Sequence, residues 1–186
     1  LWGGRISVAV GLLAMFLAVT VGVVIGAVAG YVGGGGDNLL MGLTDIFLAL
    51  PQLPLLLLII YLFREPMTTA LGTEAGVFLL IVAIIGGLTW MPVARLVRGN
   101  VLVLREVEFV AAARALGVPR HRIVVHHILP NTLGPIVVAA TLAVGTAIIT
   151  ESSLSFLGLG FPPDTPTWGR MLFDAQNYVE FTPTMA

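Results

Sequence analysis

The chain has 186 residues, of which 58% are hydrophobic and 10% charged, with a mean hydropathy of +1.02 and a formal net charge of -1. A soluble domain carries about a quarter charged residues, so this composition excludes an ordinary core under a solvated surface and points to a membrane. The balanced charge leaves no basic stripe for nucleic acid, and the absence of cysteine excludes disulfides and thiolate metal sites.

In chain order, the first predicted span is 6–32, free of charge and long enough to cross a hydrocarbon layer of ~30 Å. It is too long for the core of a signal peptide and lacks a basic leader. The chain opens on Leu1 rather than Met and ends at Ala186 without a stop signal, so a fragment trimmed at both ends is expected. Along the span, Ala14, Ala18, Gly22, Gly26 and Gly30 recur at every fourth residue. Such a stripe lets another helix backbone approach closely. We read it as packing within its own bundle, the alternative being contact with another membrane chain.

The run Gly33 to Asn38 breaks this helix and supplies an N-cap for the next. The second predicted span, 39–63, holds one charge, Asp45. Pro51 and Pro54 each remove a backbone donor and kink it. Kinked helices line pathways, yet proline is also ordinary in membrane helices, and both readings stand. An ionisable group inside a span needs a partner. For Asp45 the candidates are Arg95 and Arg98, and a structural ion pair with Arg95 is expected. Arg64, Glu65, Pro66 and Glu74 mark a short polar connection to the third predicted span, 75–97.

A polar stretch, 98–131, separates this from the fourth predicted span, 132–150, and the tail, 151–186, is too rich in Gly and Pro to be a simple fifth. Arg95, Arg98, Arg105, Arg114, Arg120 and Arg122 gather at the connection between the third and fourth spans, so the positive-inside rule places it in the cytoplasm. Counting outward, Arg64 to Glu74 and the tail face outside; the tail sets Arg170 against Glu151, Asp164, Asp174 and Glu180. Glu151 either faces a translocation pathway, where an amino group or metal ion would feel its charge, or is a solvated residue at a helix end. His126 and His127 are adjacent and cannot form an i, i+4 metal pair, so no metal site is expected. Phe156, Phe161 and Trp168 suit an interfacial belt or a surface touched by another protein.

The polar connection reads as two short helices. One is Ala-rich, from Glu108 through Ala111, Ala112, Ala113 and Arg114 to Leu116, closed by Gly117 as a left-handed cap. Pro119 starts the second at its first position, and Leu129-Pro130 ends it. A helix–Gly–helix elbow outside the membrane, with small residues on its surface, is either a docking element or a loop covering that face.

This stretch resembles the EAA loop of binding-protein-dependent ABC importer permeases: Glu-Ala-Ala, three residues, Gly, nine residues, Ile, one residue, Leu-Pro. Ala112-Ala113, Gly117 and Leu129-Pro130 fall at the matching spacing. Ala111 stands where the family has Glu and His127 where it has Ile, leaving Glu108 and Arg114 as the nearby charges that would substitute. Ala-Arg-Ala-Leu-Gly before the elbow, His-Ile-Leu-Pro-Asn at 127–131, Leu-Ser-Phe-Leu-Gly-Leu-Gly at 154–160 and Pro-x-x-Pro-x-Trp-Gly at 163–169 are similar to the dipeptide/oligopeptide/nickel branch. The resemblance implies an all-α membrane protein, a polytopic helical bundle of the ABC type I importer permease kind in the inner membrane. In a six-helix subunit these spans would be the second to fifth.

It further implies a second homologous permease, two cytoplasmic ATP-binding subunits coupled through 108–130, and an external solute-binding protein. The cargo implied is a short peptide, or nickel or a similar small solute. The chain needs no cofactor and carries no catalytic residue on this reading. Gly33 to Gly36 cannot form a phosphate loop, which needs a lysine to reach the terminal phosphates, and no lysine occurs in the chain. An ion-driven secondary transporter would carry paired intramembrane carboxylates, whereas Asp45 alone lies inside a predicted span. A non-transporting scaffold leaves the elbow and the Pro/Trp/Gly motif unexplained.

Overall fold

The computed structural model describes residues 2–176, and the regular structure among them is helical. In chain order the helices are α1 (Trp2–Val32), α2 (Gly34–Ala49), α3 (Gln52–Leu71), α4 (Thr73–Gly87), α5 (Met91–Leu104), α6 (Glu108–Ala115) and α7 (Arg120–Ile123). A π-helical turn (Val124–Ile128) then leads into α8 (Leu129–Phe156), and α9 (Trp168–Ala175) follows a loop. Four stretches are long and apolar enough to cross a membrane: Gly3–Val32, Gln52–Leu71, Thr73–Leu104 and Arg120–Phe156. Glu180, counted above among the tail's charges, lies outside the described residues.

Residues 2–17, 51–88 and 142–176 pack as one compact unit, and residues 18–50 and 89–141 as another. In the first, α3 and α4 form a hairpin closed by Gly72, whose φ of 83° lies in the left-handed region that favours glycine. Leu56 and Ile60 of α3 pack with Val77, Ile81 and Ile85 of α4, Val10 and Ala14 of α1, and Leu154 of α8. Lipid offers no hydrophobic drive for this association, so its stability comes from close van der Waals contact.

In the second unit the stripe on α1 serves that close contact. A Cβ on Gly22 would lie 2.8 Å from the Trp90 carbonyl oxygen, and one on Gly30 2.9 Å from that of Arg98. Gly26 has even less room, against the Ala94 carbonyl. Val97 and Val101 of α5, which also line this seam, join Val110 and Ala113 of α6, Ile123 of α7 and Ile128 in one buried cluster.

Several boundaries depart from the sequence reading, each for a backbone reason. The span expected over 39–63 is two helices. Leu50 and Pro51 are extended (ψ 137° and 107°), and Pro54 sits in the first turn of α3, where its missing N–H leaves no bond unmade. The prolines thus break the helix instead of kinking it. The polar connection placed at 64–74 is helical as far as Leu71, because Pro66 is carried inside α3 and the break falls at Gly72. The span expected over 75–97 is interrupted at 88–90, between α4 and α5.

Pro119 caps α7 instead of occupying its first position, and Pro130 does not end the helix. It enters at the second residue of α8, directly after the π-turn. A wider turn accommodates a ring that would otherwise press on the preceding coil. The Asn131 side-chain amide donates to the His127 carbonyl there, at 2.6 Å. The expected N-cap from Gly33 to Asn38 is also corrected: Gly33 (φ 68°) caps α2 without a side-chain bond, since the Asp37 carboxylate is engaged elsewhere. The span expected to end at residue 150 continues to Phe156, so Glu151 lies within α8.

Candidate functional site

The elbow is built on a closed helix end. Val118 N–H donates to the Ala113 carbonyl (3.1 Å) and Gly117 N–H to that of Arg114 (3.1 Å), the two bonds of a Schellman motif. Gly117 takes φ 75°, and among the described residues no atom lies within 4 Å of where its Cβ would be, so the backbone angle demands glycine. Val110 and Ala113 turn into the buried cluster. Glu108, Ala111, Ala112, Arg114 and Leu116 are exposed, Leu116 at 84%. Leu129 is half-buried and Pro130 exposed at the start of α8. The sequence-predicted elbow residues are therefore divided: Ala113 anchors, and the others present a small, mostly apolar surface with an acidic start and a basic end.

The base of the elbow is tied to α1. Arg105, directly after α5, donates to the Gly30 carbonyl (2.9 Å) and pairs with Glu106 (2.9 Å). Its own carbonyl accepts from Arg114 of α6 at 3.3 Å. Nearer the start of α5, two ion pairs join it to α2. Asp45 and Arg95 meet at 2.5 Å, with side chains 58% and 52% exposed. Arg98 forms a two-pronged pair with Asp37: Nε donates to Oδ1 (2.5 Å) and Nη2 to Oδ2 (2.7 Å). Asp37 is nearly buried, and the guanidinium's hydrogen bonds hold its carboxyl below the usual carboxylate range against the opposing effect of burial.

Sequence reading missed the Asp37–Arg98 pair and the Arg105 link. The pair had a usable signal. Asp37 and Asp45 are eight residues apart on α2, Arg95 and Arg98 three apart on α5, so each pair of like charges shares a helix face.

Glu151 is not a solvated helix end. It is 0% exposed and accepts from Ser7 Oγ of α1 (2.9 Å) and Ser155 Oγ (2.7 Å), while Ser7 Oγ accepts from the Trp168 N–H (3.2 Å). This knot gathers α1, α8 and α9 and accounts for two of the motifs. Gly158 (φ 79°) closes α8 through a second Schellman pair, with Gly160 and Gly169 pressed against Ser155 and Ser152 where no Cβ fits. Thr167 caps α9 by accepting from the Arg170 N–H, and Trp168 covers Gly4. Pro51 and Pro54 are exposed at the α2–α3 break. Phe161 is buried on Phe78 at 6.3 Å between ring centroids, so it belongs to the core and not to an interfacial belt.

Comparison with known proteins bears on this arrangement directly. The family described as "Binding-protein-dependent transport system inner membrane component" matches residues 22–186. The chain is 41% identical over 181 residues to the oligopeptide transport system permease protein OppC of Haemophilus influenzae, covering 97% of this chain and 55% of that protein. It is 40% identical over 183 residues to the dipeptide transport system permease protein DppC of Alkalihalophilus pseudofirmus (98% and 56%). It is also 40% identical over 185 residues to the glutathione transport system permease protein GsiD of Escherichia coli (99% and 57%). The chain spans about half the length of the curated relatives it matches. Because the family match takes in the elbow together with Glu151, Ser155 and Trp168, and the relatives align along nearly all of the chain, this multi-span membrane protein belongs to the binding-protein-dependent transport system inner membrane component family.

Proposed function

We propose that the chain is the core of a permease subunit of an ATP-binding-cassette importer, and that it forms part of the path for a short peptide. The observation that carries this reading is the elbow. A Schellman-closed helix with a buried anchor presents Ala111, Ala112 and Leu116 outward, in a chain of this family. Relatives named for oligopeptide, dipeptide and glutathione transport support a peptide cargo; nickel or a similar solute is the alternative left by the sequence. ATP hydrolysis falls to two separate cytoplasmic subunits docked at 108–130, solute delivery to an external binding protein, and a second homologous permease completes the path. Glu151, buried in its knot, supports the outer end of that path by positioning α9 instead of lining it. ATP binding on the partners would rock the spans through the elbow, a two-state coupling between distant sites.

Two experiments test this. Gly117→Pro forces φ to about -65° where 75° is needed, and Ala112→Trp places a large ring on the docking surface. Each is expected to cut ATP-dependent uptake at least tenfold while leaving membrane insertion unchanged. Normal uptake with wild-type recovery of the ATP-binding subunits would overturn the assignment of the elbow. Gly117→Ala, which meets no atom and costs about 1–2 kcal/mol in the left-handed region, should give an intermediate loss.

For orientation, the chain contains no cysteine, so single cysteines report cleanly within it. Arg120→Cys should resist an impermeant thiol reagent in intact cells and react after permeabilisation, while Pro163→Cys should react in intact cells. Both positions are exposed. The reverse pattern inverts the topology.

A further inference from the structure

Within the unit built from 2–17, 51–88 and 142–176, a cavity of about 390 Å³ opens beside the N-terminal turn of α4. That volume lies in the range of small-molecule sites, ~300–1,000 Å³. Ile6, Phe78 and Phe161 give it an apolar wall, the two rings tilted at 53°. Glu74 and Asp164 also line it, and no cationic side chain does. Neither carboxylate takes part in an ion pair among the described residues.

We propose that this cavity binds a small organic cation, a primary ammonium on an apolar body. The ammonium would lie against Glu74 and Asp164, and the body would rest on Phe78 and Phe161. A bare divalent metal fits the chemistry less well. Calcium takes about six to eight oxygens, and among the described residues no group of three or more acidic, His or Cys side chains is placed to hold a metal. Aromatic faces instead favour an organic cation. The proposal stands on the cavity alone, so its failure leaves the elbow assignment and the family untouched.

The test uses the full-length permease in its assembled complex in nanodiscs, titrated calorimetrically with 2-phenylethylammonium and with 2-phenylethanol, its uncharged counterpart. The ammonium is expected to bind at least tenfold more tightly. Because both carboxylates are exposed, Glu74→Gln and Asp164→Asn should each weaken it about two- to five-fold, and the double variant about tenfold. Raising ionic strength shortens the screening length from ~30 to ~8 Å between about 0.01 and 0.15 M and should weaken the ammonium but not the alcohol. Equal binding of amine and alcohol, wild-type affinity in the double variant, or no amine binding at about 10 mM, beyond the weak end of specific affinity, would each overturn the site.

Discussion

A valine at Gly26 is expected to abolish recovery of the folded subunit, lowering detergent-extracted monodisperse protein at least tenfold. Even the first atom of that side chain collides with the Ala94 carbonyl oxygen, and it also lies 2.9 Å from Val97 Cβ. Ordinary overpacking costs about 1–3 kcal/mol because side chains change rotamer to make room. Here the obstacle is backbone, so α1 and α5 must move apart. The contacts of Gly22 with Trp90 and of Gly30 with Arg98 are then lost together, and with them the Arg105 bond to the Gly30 carbonyl. In a bilayer that close contact is the main force holding the helices. Gly42→Ala is the matched control. Gly42 is helical and exposed, and among the described residues no atom lies within 4 Å of where a Cβ would be, so alanine there should be neutral or raise stability by about 0.4–1 kcal/mol. Normal recovery of the Gly26→Val protein would show that the seam is not where stability resides.

What the sequence disclosed divides along physical lines. Hydropathy marks where apolar stretches lie, and the helical character of all of them was legible, as was the small-residue stripe, because both are properties of side chains in fixed order. Breaks depend on backbone donors. Pro51 looks like a kink until one asks whether its neighbours retain helical partners, and Pro130 looks like a stop until a π-turn upstream makes room for it. The burial of Glu151 was illegible for a different reason. A charge at the end of an apolar run is usually solvated, and only contact with Ser7, distant in sequence by 144 positions, buries it. The same holds for Gly160 and Gly169 of the outer motifs, which are excluded-volume contacts against Ser155 and Ser152. Partner choice was the subtlest point. Arg95 and Arg98 both suited Asp45 by depth, and only the presence of Asp37 one helical turn after the Gly33 break sends Arg98 elsewhere.

That division of partners sets the second large effect. Asp37→Asn and Arg98→Gln should each destabilise the folded protein by about 3 kcal/mol, read as a shift in detergent-unfolding midpoint, whereas the double variant should recover more than half of the loss. Breaking a buried pair costs about 3–5 kcal/mol because the survivor keeps its desolvation without its partner. The Asp37 side chain is 9% exposed and that of Arg98 34%, so the lower end applies. By the same logic Asp45→Asn and Arg95→Gln, acting on a pair more than half exposed on both sides, should cost at most about 1 kcal/mol each and combine additively. The pH dependence follows in sign. Asp37 has its folded value held down, first by the Arg98 hydrogen bonds, so its contribution is complete above the ordinary aspartate value of about 3.9. It is lost as pH falls through and below that value toward the folded one. Wild type should therefore lose stability on acidification more steeply than Asp37→Asn, which has no such carboxylate to protonate. Additive losses at Asp37 and Arg98, or parallel acid profiles for wild type and Asp37→Asn, would place the strength of the α2–α5 contact in its packing and not in this pair.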